Sequence, residues 1–109
     1  TIAINYGGRD EVARAAQRLA YDVKAGRLAP KEINEETLPK YLDTHVLPDP
    51  DLLIRTSGEA RISNFLLWQT AYSEYDFVDT LWPDFTSTIF EEALRRYTER
   101  TRRFGGVLI

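Results

Sequence analysis

Two arginines and a serine fall within nine residues in Arg55 to Ser63 (RTSGEARIS), with a glycine turn between the arginines. Phosphate recognition uses these parts: a guanidinium offers a planar fork matched to phosphate oxygens, and glycine lets the backbone come close. The first N–H groups of a helix add unsatisfied donors with partial positive charge. A helix starting at Ser63 would therefore complete a diphosphate cradle built from Arg55, Gly58, Arg61 and Ser63. The same residues also fit a plainer role, with Arg55 and Arg61 as surface or ion-paired side chains near Glu59 and Ser63 as an N-cap. Glu74, between Tyr72 and Tyr75, offers the hard carboxylate oxygen that magnesium takes beside diphosphates, and read alone it equally fits a solvated loop. His45 is the only histidine and there is no cysteine, so a turn or packing role suits it better than a metal site. Arg95, Arg96, Arg100, Arg102 and Arg103 give the last helix a basic end, which the helix dipole favours.

The elements that must position these residues alternate between extended and helical patterns. Thr1 to Tyr6 alternates Ile2, Ile4 and Tyr6 with smaller residues and stops at Gly7-Gly8, the pattern of a short strand. From Asp10 to Ala25, Val12, Ala16, Leu19, Ala20 and Val23 recur at helical spacing, and Gly26 stands where a C′ glycine belongs. Pro30 breaks the chain, and Asn34 offers an N-cap to a short helical segment around Glu35 to Leu42. Asp51 to Thr56 holds the continuous apolar run Leu52-Leu53-Ile54, which suits a strand covered on both faces in a parallel sheet. Ile62 to Tyr72 is rich in Phe65, Leu66, Leu67 and Trp68 and predicts a largely buried helix capped by Ser63. Tyr75 to Trp82 reads as a third strand closed by Pro83, and a last helix begins near Thr86 or Thr88, the latter at capping-box spacing from Glu91.

Strands separated by helices imply parallel pairing with right-handed crossovers. The expected class is α/β, part of an open, mainly parallel sheet with helices on both faces. Ligands in such sheets sit beyond the carboxyl ends of the strands, where both Gly-Arg turns fall. If the sheet is parallel, Glu74 lies at the opposite end from those turns, and one subunit does not bring both to one site.

Composition narrows the function further. The 109 residues carry a net charge of −3, which gives no electrostatic reason to bind nucleic acid, so an anion site must be local. Hydrophobic and aromatic contents of 43% and 12% predict a folded domain rather than a disordered chain. The absence of cysteine excludes disulfides and thiolate metal sites and suits a cytoplasmic location. The longest apolar run, Phe65 to Trp68, is far short of the roughly 20 residues that cross a bilayer. With no initiator methionine and a strand-like start, residues 1–109 read as the C-terminal portion of one domain whose N-terminal portion is absent.

Residues 55 to 85, RTSGEARISNFLLWQTAYSEYDFVDTLWPDF, resemble the C-terminal signature of the undecaprenyl diphosphate synthases, bacterial cis-prenyltransferases. NYGGRDEV at residues 5 to 12 and RRFGG at 102 to 106 are also similar to that family, so the resemblance covers nearly all of the chain. It implies cis-prenyl elongation, in which isopentenyl diphosphate condenses with an allylic diphosphate such as farnesyl diphosphate and diphosphate leaves with magnesium. It implies that Arg55, Arg61, Ile62 and Ser63 hold isopentenyl diphosphate and that Glu74 is a magnesium ligand. It also implies a homodimer, in which the Arg-x-Gly tail, with Arg103 and Gly105, reaches the partner's site. Membrane contact would be peripheral, through the lipid product.

Two positions depart from the family pattern: Ala60 stands where many relatives have histidine, and Ser57 where glycine is frequent. The family's Asp-Gly-Asn-Gly-Arg-Trp motif, with its catalytic aspartate, does not occur in these residues, nor does its Ser-rich loop. The chain alone is therefore expected to be inactive. A second reading is a non-catalytic partner subunit of a heteromeric cis-prenyltransferase, against which both arginines speak. A third is an unrelated phosphate-binding α/β module, against which the length of the match speaks.

Overall fold

In a computed structural model that describes residues 1–100, the helical periodicity after Gly7 becomes α1 (Gly8–Lys24). Asp10 and Glu11 in its first turn complement the helix dipole. Its far end closes as the sequence predicts. Gly26 adopts φ +76°, its N–H donates to the Val23 carbonyl (3.1 Å), and the Arg27 N–H reaches back to Asp22 (2.9 Å), the two bonds of a Schellman motif. The buried stripe is Gly8, Glu11, Ala15 and Leu19, so only Leu19 of the expected apolar face is fully covered. Glu11 explains the rotation. Its carboxylate accepts from the Tyr6 hydroxyl and from the Asp43 N–H (2.8 Å), and a bonded polar group is tolerated in a core.

α1 belongs to one compact unit, Thr1–Pro48 with Asn64–Trp68. Thr1 to Tyr6 forms no strand there, and Ile2 and Ile4 are 86% and 84% exposed. Alternation predicts which face a strand would bury, but a strand also needs a neighbour for its backbone groups. Asn34 accepts from the N–H groups of Glu36 (2.9 Å) and Thr37 (3.0 Å), forming a turn ahead of the helical segment rather than the N-cap expected of it. The helical segment expected over Glu35 to Leu42 is a short 3-10 helix, Leu38–Tyr41, with Thr37 at its N-cap position and Pro39 in its first positions. Arg14 binds this segment to α1 with a bidentate pair to Asp43 (2.8 and 2.7 Å) and a third bond to Asp10 (2.8 Å). His45 lies in the turn beyond, a ring nitrogen 3.2 Å from the Leu42 carbonyl.

The second unit is Asp49–Ser63 with the chain from Gln69 onward. Its centre is a parallel pair, β1 (Leu52–Arg55) and β2 (Glu74–Phe77), in the register Leu52 to Glu74 and Arg55 to Phe77. Parallel pairing is as the apolar run predicts, although every residue of β1 is half-buried rather than fully covered. β2 begins at Glu74 and ends five residues short of the expected strand, whose remainder runs into a 3-10 turn at Trp82–Asp84. α2 (Ser87–Thr98) takes Thr86 as its N-cap, whose hydroxyl accepts from Ile89 N–H (3.4 Å). Of the two starts expected, Thr86 is used and the Thr88–Glu91 spacing is not.

The segment Ile62 to Tyr72 is not a helix, contrary to its apolar content. Ser63, Asn64 and Leu66 all adopt positive φ (49°, 65° and 47°), a region that residues with a Cβ seldom enter and that no right-handed helix contains. Among the described residues no helix is long and apolar enough to cross a membrane.

Candidate functional site

β1 delivers Arg55 to its carboxyl end, and the chain then turns sharply. Ser57 and Gly58 both take positive φ (69° and 70°). Their N–H groups donate to the Thr80 (2.8 Å) and Val78 (3.0 Å) carbonyls beyond β2. The turn is thus anchored by the strand pair rather than free. It brings the backbone of Arg61 back to β1, where the Arg55 guanidinium donates to the Arg61 carbonyl (2.5 Å). Arg55, Arg61 and the half-buried Ile62 therefore gather at the carboxyl end of the sheet, where α/β proteins bind ligands.

The plainer role is realised at the same time. Arg61 donates to Glu59 through Nε (2.8 Å), with Nη2 2.7 Å from the same oxygen, while its side chain stays 71% exposed. An exposed pair of this kind contributes little stability and exchanges readily. A phosphate group can therefore replace Glu59 without leaving a buried charge. Asp79 also faces the turn, its Oδ1 3.4 Å from where a Cβ on Gly58 would lie. The expected helix N-terminus at Ser63 is absent, so the cradle has the guanidinium groups and the glycine turn but not the helix donors, and Ser63 is an exposed turn residue.

Glu74 opens β2 opposite Leu52, three residues before the position paired with Arg55. At the parallel-strand rise that is about 10 Å along the sheet. The sequence expectation holds: the glutamate and the arginine turn occupy opposite ends. The described charged partner of Glu74 is Arg100, with Nη1 3.8 Å from Oε2, beyond hydrogen-bonding distance. Arg100 also donates to the Tyr75 carbonyl and has Nη2 4.0 Å from Asp76. Asp76 is 5% exposed and is chelated by Arg96 through Nε (3.0 Å) and Nη2 (2.9 Å).

Among the described residues no group of three His, Asp or Glu side chains is placed to hold a metal ion. Glu74 by itself suits the looser arrangement in which magnesium takes one or two carboxylates and fills its remaining positions with phosphate oxygens and water. The place beside it already carries a cation, the Arg100 guanidinium. Arg103 and Gly105 lie outside the described residues.

In the sequence, Arg96 and Arg100 read as part of a basic helix end, and nothing there marks Asp76. Two carboxylates at i, i+2 in an extended run share a face, and two arginines at i, i+4 share a helix face. That coincidence was the available signal.

Residues 1–105 match the family profile for undecaprenyl diphosphate synthase. The chain is 60% identical over 106 residues to the isoprenyl transferase of Rhizobium meliloti (strain 1021), covering 97% of this chain and 43% of that protein. It is 52% identical over 105 residues to a ditrans,polycis-undecaprenyl-diphosphate synthase, (2E,6E)-farnesyl-diphosphate specific, from Xylella fastidiosa (strain Temecula1), covering 96% of this chain and 41% of the relative. Among solved structures it is similar to lavandulyl diphosphate synthase from Lavandula x intermedia in complex with dimethylallyl diphosphate. The TM-score is 0.91 at 43% identity, covering 94% of this chain and 44% of that one. The chain thus spans less than half the length of the relatives it matches.

Proposed function

Because this chain belongs to the undecaprenyl diphosphate synthase family, we propose that the protein carrying it elongates cis-prenyl chains from isopentenyl diphosphate, and that the Arg55–Arg61 turn binds the diphosphate of that substrate. The supporting observation is the turn itself, with two guanidinium-bearing residues held at the carboxyl end of the parallel pair by the Arg55 bond to the Arg61 carbonyl.

In this reading Arg61 exchanges Glu59 for phosphate oxygens, Arg55 supplies a second guanidinium, and Ile62 and Ser63 line the approach. Together they fix the diphosphate end, so that the isopentenyl double bond faces the allylic carbon of a prenyl diphosphate such as farnesyl diphosphate. A new carbon–carbon bond forms as the allylic carbon–oxygen bond breaks. The electron pair leaves with diphosphate, and a proton is lost from the isopentenyl unit to give the cis double bond. Magnesium bound to diphosphate would draw charge onto the leaving group, and Glu74 would contribute one carboxylate to it. Since Glu74 and the arginine turn stand at opposite ends of β1 and β2, the reading includes a homodimer. There Arg103 and Gly105 of one copy approach the site of the other. A cytoplasmic enzyme meeting the membrane through its lipid product completes the proposal.

The test is incorporation of labelled isopentenyl diphosphate onto farnesyl diphosphate by the full-length protein in magnesium. A charge-assisted hydrogen bond contributes about 1.5–3 kcal/mol, so Arg61→Ala should raise KM for isopentenyl diphosphate roughly 10- to 150-fold. An unchanged KM would remove Arg61 from the site. No incorporation by the unaltered protein would instead favour a non-catalytic partner subunit.

A further inference from the structure

Glu74 and Arg100 together carry an inference that rests on the reading of Glu74 as a magnesium ligand. The two charges are close enough to attract but too far apart to hydrogen-bond, at 3.8 Å. What holds Arg100 is instead the carbonyl of the next residue, Tyr75, which accepts from its Nη1. Asp76, the other carboxylate within 4.0 Å of Arg100 among the described residues, is already chelated by Arg96. Moving Arg100 away from Glu74 therefore breaks no hydrogen bond between them and leaves Asp76 paired. The Arg100 and Glu74 side chains are 31% and 26% exposed, so both charges are partly open to solvent.

Such a pair has a definite selectivity. A free divalent ion meets a carboxylate whose charge is already offset by a guanidinium, and its approach to Glu74 is opposed by Arg100. A divalent ion carrying a diphosphate brings both signs at once. Its metal faces the carboxylate while its phosphate oxygens face the guanidinium, whose planar fork suits them. We propose that Arg100 is a positioning and diphosphate-binding residue that makes Glu74 accept magnesium together with a diphosphate and reject the bare ion. The ligand class is the metal–diphosphate complex, read by its two charges simultaneously.

Binding, rather than turnover, tests this. The full-length protein is titrated with manganese as a paramagnetic probe, alone and with inorganic diphosphate, in the unaltered form and as Arg100→Gln, Arg100→Met, Arg100→Lys and Glu74→Gln. Met keeps the apolar stem without the charge and serves if the Gln variant does not fold, folding being checked by circular dichroism. The expected result is several-fold tighter binding of manganese alone in the Gln and Met variants, with a smaller gain on adding diphosphate. Arg100→Lys should retain weak binding of the bare ion, since it keeps the charge. Glu74→Gln should abolish the difference between the Arg100 variants and the unaltered protein. If Glu74→Gln weakens the metal while the Gln and Met variants bind manganese, with and without diphosphate, as the unaltered protein does, the role of Arg100 is overturned and Glu74 stands. If Glu74→Gln leaves metal binding unchanged in both conditions, the magnesium reading of Glu74 falls and the inference with it.

Discussion

Ser57 shows how a single residue carries the conformation of the arginine turn. It sits at φ +69°, where a Cβ is crowded and glycine is at ease, which is the physical reason for glycine at a turn of this shape. Ser57→Gly should relieve that strain, partly offset by the greater freedom of the unfolded chain. The net change should be a gain of up to about 1 kcal/mol in chemical denaturation, with KM unaltered. A loss of stability would mean that the serine hydroxyl matters more than its backbone. In the other unit, the hydrogen bonds from Arg14 hold the Asp43 carboxyl below its ordinary range, against the opposing effect of burial. A depressed carboxyl means the folded state binds fewer protons than the unfolded one. Its contribution is complete above the unfolded value, about pH 4, and is lost as pH falls through the folded value. Urea unfolding at pH 6 and pH 3 should therefore show a smaller loss of stability in Asp43→Asn than in the unaltered protein. Equal losses would assign acid sensitivity to other groups.

At the scale of elements, the link between α2 and β2 is electrostatic. Arg96 reaches from the last turn of α2 to a carboxylate on β2 that is almost fully buried. Among the described residues, Arg96→Ala would leave Asp76 with Arg100 at 4.0 Å as its charged partner and should destabilise the protein by about 1–3 kcal/mol, the cost of an under-satisfied buried group. Denaturation that leaves the midpoint unchanged would show that Arg100 or water compensates. The elements differ in how far they could be read in advance. α1 was legible because its apolar residues recur at helical spacing up to Gly26, and β1 because Leu52-Leu53-Ile54 suits a parallel pair. The helix expected over 62–72 was not, because left-handed residues at 63, 64 and 66 arise from the chain's path rather than from its apolar content. The buried face of α1 was misplaced by one position because periodicity counts a glutamate as polar, whereas its contacts with Tyr6 and Asp43 satisfy Glu11 inside.

Across the whole molecule, the net charge of −3 means that any anion site must be local, and the motif at Arg55 to Ser63 is where we propose it. The guanidinium pair and turn were legible because Arg, Gly and Arg at that spacing after an apolar run mark both a candidate phosphate ligand set and the strand end. The Glu74–Arg100–Asp76–Arg96 cluster was not, since it depends on α2 lying against β2 across some twenty residues of sequence. Separation of Glu74 from the arginine turn along one sheet is what makes a second copy part of the proposed enzyme. The most direct measurement is calorimetric titration of the full-length protein with isopentenyl diphosphate alone, comparing the unaltered form with Arg55→Ala and Arg61→Ala. The account predicts saturable binding, weakened roughly 10-fold or more by each substitution. Equal affinity in all three would contradict the assignment of the turn as the diphosphate site.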